Sequence, residues 1–283
     1  MLTILTPQTP FPAEFPKGAL LLVDKPLGWT SFDVVNKIRY RLTRRLGVKK
    51  FKIGHAGTLD PLATGLLLIC TGEYTKKIES LQALPKAYTG VITFGAATAS
   101  FDLEKPADVT FPTDHLTDEL LRQTVQQFIG DIEQIPPMFS AVKVDGKRLY
   151  KNARTGQLME LEPRKVRIDT FELGPLRPVP PAERTEPVVL SKKGPPIWLH
   201  PDYPAGLQCD FRVVCSKGTY IRSLAHDLGR AAGSGAYLSS LRRTRTGGYS
   251  VEEAWTVEGA GQTHRGISSY NLACPKTLLD KYL

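Results

Sequence analysis

A single carboxylate, Asp60, stands in the run Gly54-His55-Ala56-Gly57-Thr58-Leu59-Asp60-Pro61-Leu62-Ala63-Thr64-Gly65, just ahead of the apolar stretch Leu66-Leu67-Leu68-Ile69. Glycines let the backbone turn sharply and let another group approach closely. A short apolar run after such a turn reads as a strand. The pattern therefore places an acid at the rim of a stiff sheet, with His55 five residues before it. A carboxylate in that position can attack as a nucleophile or accept a proton. Taken alone, an Asp-Pro pair in a glycine-rich loop is an ordinary turn former, so its accompaniment decides.

The elements that must position this acid can be read on either side of it. Ala19-Leu20-Leu21-Leu22-Val23 is expected as a buried strand, followed by a turn through Lys25-Pro26-Leu27-Gly28-Trp29-Thr30. Thr30 with Asp33 three residues later is a helix N-cap signature. Phe32, Val35, Ile38, Leu42 and Leu46 are expected on the apolar side of that helix, and Lys37, Arg39, Arg41, Arg44 and Arg45 on the other. Such charges usually form a solvated face, but they also add to a possible RNA-facing surface.

Further along, Glu73 to Leu84 reads as a helix, Tyr88 to Phe94 as a strand, and Leu116 to Ile129 as a helix opened by Thr117 or Asp118. Leu207 to Val214 alternates like a strand, and Ile221 to Ala232 is helical with Gly233 near its end. A small helical pattern lies around Thr277 to Tyr282. The order is not a strict βαβ alternation. The expected fold is mixed α+β: a largely antiparallel central sheet flanked by helices and loops.

The chain has 283 residues, with 37 Lys and Arg against 28 Asp and Glu, a formal charge of +9. That excess favours a polyanionic partner, because each phosphate neutralised releases counterions. Residues 136–167 concentrate it in Lys143, Lys147, Arg148, Lys151, Arg154, Arg164, Lys165 and Arg167, with Met138, Phe139, Leu149 and Tyr150 interleaved. Cations for phosphates and aromatic faces for bases suit an RNA-binding loop, as well as they suit an ordinary hairpin and helix with surface lysines. Cys70, Cys209, Cys215 and Cys274 form no C-x-x-C pair, and no histidine pair has zinc-ligand spacing, so neither a metal nor a disulfide framework is expected. No secretory signal and no membrane span is read, and the expected location is the cytoplasm.

Lys25 to Ser31, the Asp60 run, Lys86-Ala87-Tyr88, Cys215-Ser216-Lys217-Gly218-Thr219-Tyr220-Ile221-Arg222-Ser223-Leu224 and Leu241-Arg242-Arg243 occur in one order and spacing. Together they resemble the sequence blocks of the TruB-type tRNA pseudouridine synthases, from about residue 17 to 249. The resemblance implies the pseudouridine synthase fold and an enzyme that isomerises uridine 55 in the T arm of tRNA, without cofactor, metal, membrane or obligate protein partner.

By the same resemblance Asp60 is the catalytic carboxylate. Arg222 supplies a planar cation that favours an ionised acid and positions it. Tyr88 stacks on the target uracil and takes part in proton removal at C5. His55 fills the place left by the everted nucleotide, and Tyr220 and Leu241 pack around the isolated base. Lys143, Lys147, Arg148, Lys151 and Arg154 belong to a loop that closes over the T arm.

Residues 1–18, with four prolines, are expected as an irregular leader and 19–249 as the catalytic domain. Residues 174–206, with nine prolines, are expected as an exposed insertion, and 250–283 as a C-terminal extension too short for a full PUA module. Two other readings compete. A noncatalytic RNA-binding or RNA-folding protein on the same scaffold has no need of Asp60, Tyr88 and Arg222 together. A carboxylate-dependent glycoside or nucleoside hydrolase ordinarily needs a second positioned acid, and none stands out.

Overall fold

The structure, a computed structural model, describes residues 3–8, 17–138, 143–144, 147–148, 161–181, 184–191 and 196–257. The chain divides into two units, Met1–Lys86 with Arg242–Leu283, and Ala87–Leu241.

In the first unit the strands are β1 (Ile4–Leu5), β2 (Gly18–Lys25), β3 (Ile53–Ala56) and β4 (Ala63–Gly72). β4 pairs antiparallel with both β2 and β3, and β1 lies parallel to β2 inside the stretch expected as an irregular leader. β2 and β4 read as nearly continuous apolar runs because both of their faces are dry. Leu20, Leu22, Leu66, Leu68 and Cys70 pack on one face with Leu81 of helix α2 (Ile78–Ala83). Leu21, Val23, Leu67 and Ile69, on the opposite face, are equally buried. The expected helix over Glu73 to Leu84 is a 3₁₀ turn at Glu73–Lys77 that runs into α2. Near the end of the described chain, Trp255–Thr256 runs parallel to β2, and the Trp255 indole donates to the Leu5 carbonyl at 3.2 Å.

Helix α1 (Ser31–Arg45) starts where expected, with Thr30 and Asp33 forming a capping box. Its buried line is Val34, Val35, Ile38 and Leu42, and Phe32 is 59% exposed. At about 100° of rotation per residue, Phe32 falls off that line, and Leu46 lies past the last helical residue.

In the second unit, β5 (Lys86–Phe94) is followed by the pair β6 (Ala96–Thr98) and β7 (Ala107–Thr110), then helix α3 (Asp118–Val125), capped by Thr117. Strand β8 (Gly130–Gln134) pairs antiparallel with β11 (Arg164–Leu173), and β11 with β15 (Leu207–Cys215). Between β8 and β11, β9 (Lys143–Val144) and β10 (Lys147–Arg148) form a two-stranded hairpin. Lys165 and Arg167, grouped with the basic loop in sequence, are instead outward residues of β11, which begins at the exposed Arg164 and whose Val166, Ile168 and Phe171 are buried.

The proline-rich stretch contributes short strands β12 (Arg177–Pro178), β13 (Val188–Val189) and β14 (Trp198–Leu199). Its far end is fastened where Asp202 accepts from Thr93, Ser239 and the buried Tyr237. Helix α4 (Ile221–Ala231) precedes β16 (Ala236–Thr246). The mixed α+β fold with mostly antiparallel strands is as expected.

Candidate active site

Asp60 lies in the loop from β3 to β4, half-buried. The Ala63 amide donates to the Asp60 carbonyl at 3.0 Å and closes the turn. Three further attachments hold the loop. Ser31, the first residue of α1, donates through its hydroxyl to the Leu59 carbonyl at 3.1 Å and accepts from the Leu59 amide at 2.8 Å. The Pro61 carbonyl accepts from the Gly28 amide at 2.9 Å and from the Lys25 ammonium at 3.4 Å. Arg243, 1% exposed, donates to the Gly57 carbonyl at 3.0 Å and to the Leu66 carbonyl at 2.7 Å, gripping both ends of the loop.

The tightness of that grip accounts for one of the motif glycines. Gly65 has φ +102°, and a Cβ placed there would lie 2.2 Å from the Arg243 carbonyl oxygen. The glycine serves the approach of the protein's own backbone.

Lys25 is fully buried, and its ammonium also donates to the carbonyls of Pro26 at 3.0 Å and Trp29 at 2.6 Å. Burial lowers its pKa to about 7, and the nearby Asp60 charge is the largest influence in the opposite sense. Arg242 forms a two-pronged pair with Asp24 at 3.0 and 2.6 Å. His55 sits on β3 opposite Ile69, and its Nδ1 is buried. Desolvation first, and then the Arg243 charge, push the imidazole below the usual histidine range.

The other candidates belong to the second unit. Tyr88 is a nearly buried residue of β5, Tyr220 is the cap of α4, Arg222 lies in the first turn of α4, and Leu241 is half-buried on β16. The buried Gln134 side chain clamps Tyr220, accepting from its amide at 2.7 Å and donating to its carbonyl at 3.0 Å. Ser223 adds a bond to the Ile135 carbonyl at 2.8 Å. The start of α4 is thereby tied to the segment that leads into the basic hairpin.

Arg222 is 4% exposed; it donates to the Ser100 carbonyl at 3.0 Å and faces Asp102 at 3.7 Å, an ion-pair distance. Between those two partners Phe101 adopts φ 59° and stacks on His226, ring centroids 3.9 Å apart and 12° from parallel. His226 follows Arg222 by four residues, so one face of α4 meets the whole 100–102 corner. Of the basic loop residues, Lys143, Lys147 and Arg148 are in the hairpin, whereas Lys151 and Arg154 lie outside the described residues.

Ser31, Asp102, Gln134, Phe101 and His226 were not singled out by sequence reasoning. Ser31 follows a motif threonine, and nothing local distinguishes the other four, because their partners are remote in the chain. Lys25, Ser31 and Arg243 stand in the recognised blocks, but the blocks by themselves do not show what these side chains bond.

The chain matches the family described as TruB family pseudouridylate synthase (N terminal domain) over residues 43–194, and the tRNA pseudouridylate synthase B C-terminal domain over 222–262. The tRNA pseudouridine synthase B of Flavobacterium johnsoniae is 51% identical over 244 residues, 86% of this chain and 94% of the relative. That of Phocaeicola vulgatus is 51% identical over 245 residues, 87% and 92% of the two chains. Among solved structures, a Cbf5-Nop10-Gar1 complex matches with a TM-score of 0.53 and 28% identity, covering 88% of this chain and 57% of that one. An H/ACA RNP bound to a substrate RNA containing 2'-deoxyuridine matches with a TM-score of 0.50 and 25% identity, over 84% and 50%. The chain thus spans about half the length of those two structural neighbours, 50% and 57%.

Proposed function

Because this chain belongs to the TruB family of pseudouridylate synthases, we propose that it isomerises uridine to pseudouridine at nucleotide 55 in the T arm of tRNA. In that reaction the C1′–N1 glycosidic bond breaks, uracil rotates, C5 bonds to C1′, and the proton from C5 is lost while N1 regains one. Nothing is oxidised or hydrolysed overall. The protein must supply a carboxylate aimed at the sugar or base, a surface for the detached ring, and a place for an extruded nucleotide.

The supporting observation is the hold on the Asp60 loop by Ser31, Lys25, Gly28 and Arg243. A reacting group displaced by about 1 Å loses much of its effectiveness, and a loop fastened at Leu59 and Pro61 keeps Asp60 in place between them. In this proposal Asp60 is the catalytic carboxylate, and Arg222 is the cation that supports its charge. Tyr88 stacks on uracil on the scale of about 1–3 kcal/mol per base and takes part in the C5 proton transfer. His55, Tyr220 and Leu241 line the space of the target nucleotide. Lys143, Lys147, Arg148, Lys151 and Arg154 supply salt-sensitive affinity for the T arm. The enzyme acts on tRNA in the cytoplasm without an obligate protein partner.

Purified protein incubated with unmodified tRNA transcript, followed by nucleoside analysis, tests this reading. Pseudouridine at one T-arm position is expected, and it should vanish in Asp60→Asn while tRNA binding persists. Free uracil would point to hydrolysis, and binding without product to an RNA-binding scaffold; either result overturns the proposal.

A further inference from the structure

Helix α1 carries a feature that the isomerisation chemistry does not use. From Val34 to Leu59 the chain has eight Lys and Arg and no Asp or Glu. The C-terminal half of α1 and the turn after it present Tyr40, Arg44, Arg45, Lys49 and Lys50 as exposed residues, with Arg41 half-buried. Tyr40, Arg41, Arg44 and Arg45 line an open groove of about 650 Å³. Within it the Arg44 guanidinium donates to the Tyr40 hydroxyl at 2.8 Å and lies 5.6 Å from the centre of its ring.

The helix dipole accounts for only some of this. Cations in the last turn, here Arg44 and Arg45, are favoured at a helix C-terminus. Arg41 and Arg45 are nevertheless like charges four residues apart, a spacing that destabilises a helix. Lys49 and Lys50 add two more charges beyond the helix end, past the reach of the dipole. A solvated helix face normally alternates the two signs, and this one does not. An accumulation of one sign around a groove with an exposed ring is a surface shaped for a polyanion.

We infer that Arg41, Arg44, Arg45, Lys49 and Lys50 bind phosphates of the tRNA backbone at a distance from the reacting nucleotide. The inference rests on the proposed tRNA substrate. Its placement comes from α1 itself. The first residue, Ser31, is bonded to Leu59 beside Asp60, and at 1.5 Å per residue the last, Arg45, lies about 21 Å away. Arg39 ties the helix back to β3 through the Ile53 carbonyl at 3.4 Å, so the patch and the motif loop are fixed to one another within the first unit. RNA engaged at Asp60 would cross the groove several nucleotides away from the reacting base. The contacts are to phosphate and carry no base readout.

The test uses the full chain and unmodified tRNA transcript, with Arg44→Ala/Arg45→Ala and Lys49→Ala/Lys50→Ala double variants checked for wild-type thermal unfolding. For each pair, Kd for tRNA should rise about tenfold, and the slope of log Kd against log salt should fall by about 2, roughly one for each phosphate no longer neutralised. KM should rise with Kd while kcat at saturating tRNA stays within about twofold, the signature of lost uniform binding. Arg44→Lys/Arg45→Lys, which keeps the charge, should bind like wild type. An unchanged Kd and salt slope in both folded alanine pairs would overturn the inference, and so would a fall in kcat at unchanged Kd. Pseudouridine formation by the wild-type protein is scored in the same assay, so failure of the patch is separable from failure of the reaction.

Discussion

The Ser31 hydroxyl and the backbone of Leu59 satisfy each other completely, the hydroxyl accepting at 2.8 Å and donating at 3.1 Å. Both residues are buried, so no solvent replaces the hydroxyl if it is removed. Ser31→Ala leaves an amide and a carbonyl unpaired at the residue before Asp60, each a cost of about 1–3 kcal/mol when buried. Thermal unfolding should drop by about 2–4 °C for each kcal/mol lost, and kcat should fall with tRNA affinity retained. A lowered melting temperature with wild-type kcat would separate the hold on this loop from the chemistry.

Gly65 makes a sharper test because its reason is steric. With φ +102° and a would-be Cβ 2.2 Å from the Arg243 carbonyl oxygen, Gly65→Ala must push the two backbone segments apart. Gly47 has φ +64° and nothing within 4 Å of its would-be Cβ, so Gly47→Ala bears only conformational strain, about 1–2 kcal/mol. Denaturant unfolding of the two variants should show Gly65→Ala destabilised well beyond Gly47→Ala, by about 4 kcal/mol or more. Equal losses would mean that Arg243 yields.

These two positions show what the chain discloses before it is folded. The acid and the apolar run after it form one local pattern and land where read, a loop leading into β4, whereas the entry Gly54-His55-Ala56, read as part of a turn, belongs to the strand β3. The capping box of α1 is equally local, and it holds. Phe32 misleads because an apolar residue off the buried line still fits a loose helical period. Strand β11 is hidden because Arg164 at its start and the outward Lys165 and Arg167 extend a basic run, and charge density masks an alternation whose inward residues are Val166 and Ile168. Ser31–Leu59, Gln134–Tyr220 and Arg222–Asp102 are pairings between distant segments, and no window along the chain contains both partners.

Lys25 gives the pH dependence a defined sign. Its pKa falls from 10.5 to about 7 on folding because it is buried. Between those values the unfolded chain binds more protons than the native one, so this group makes stability rise as pH increases from about 7 toward 10.5. Below about pH 7 both states are protonated and the full cost of burying the charge is present. Buried Cys70 and Cys209, pushed up to about 12, act in the opposite sense above pH 9. Lys25→Met retains both thiols and isolates the lysine. The stability of wild type minus that of Lys25→Met, from chemical unfolding at successive pH values, should climb between pH 7 and 9, and a flat difference would refute the shift. Asp60→Asn removes the charge that most strongly raises the Lys25 pKa and should move the onset of the climb to lower pH.

The corner facing Arg222 stores strain that can be read by inverting a familiar order of substitutions. Phe101 holds φ 59°, a conformation that costs a non-glycine residue about 1–2 kcal/mol, while its ring is stacked on His226 at 3.9 Å. Such a stack is worth about 0.5–1.5 kcal/mol beyond the area it covers. Phe101→Ala loses the ring and keeps the strained backbone, whereas Phe101→Gly loses the ring and sheds the strain. Glycine should therefore be the better tolerated of the two by about 1–2 kcal/mol in unfolding experiments. Both variants loosen the Ser100 carbonyl and Asp102 around Arg222, so both should lower kcat more than they raise KM. Arg222→Lys, which keeps the charge without the planar fork, should lower kcat further still. A Phe101→Gly protein with full kcat would show that the guanidinium is positioned without the stacked ring.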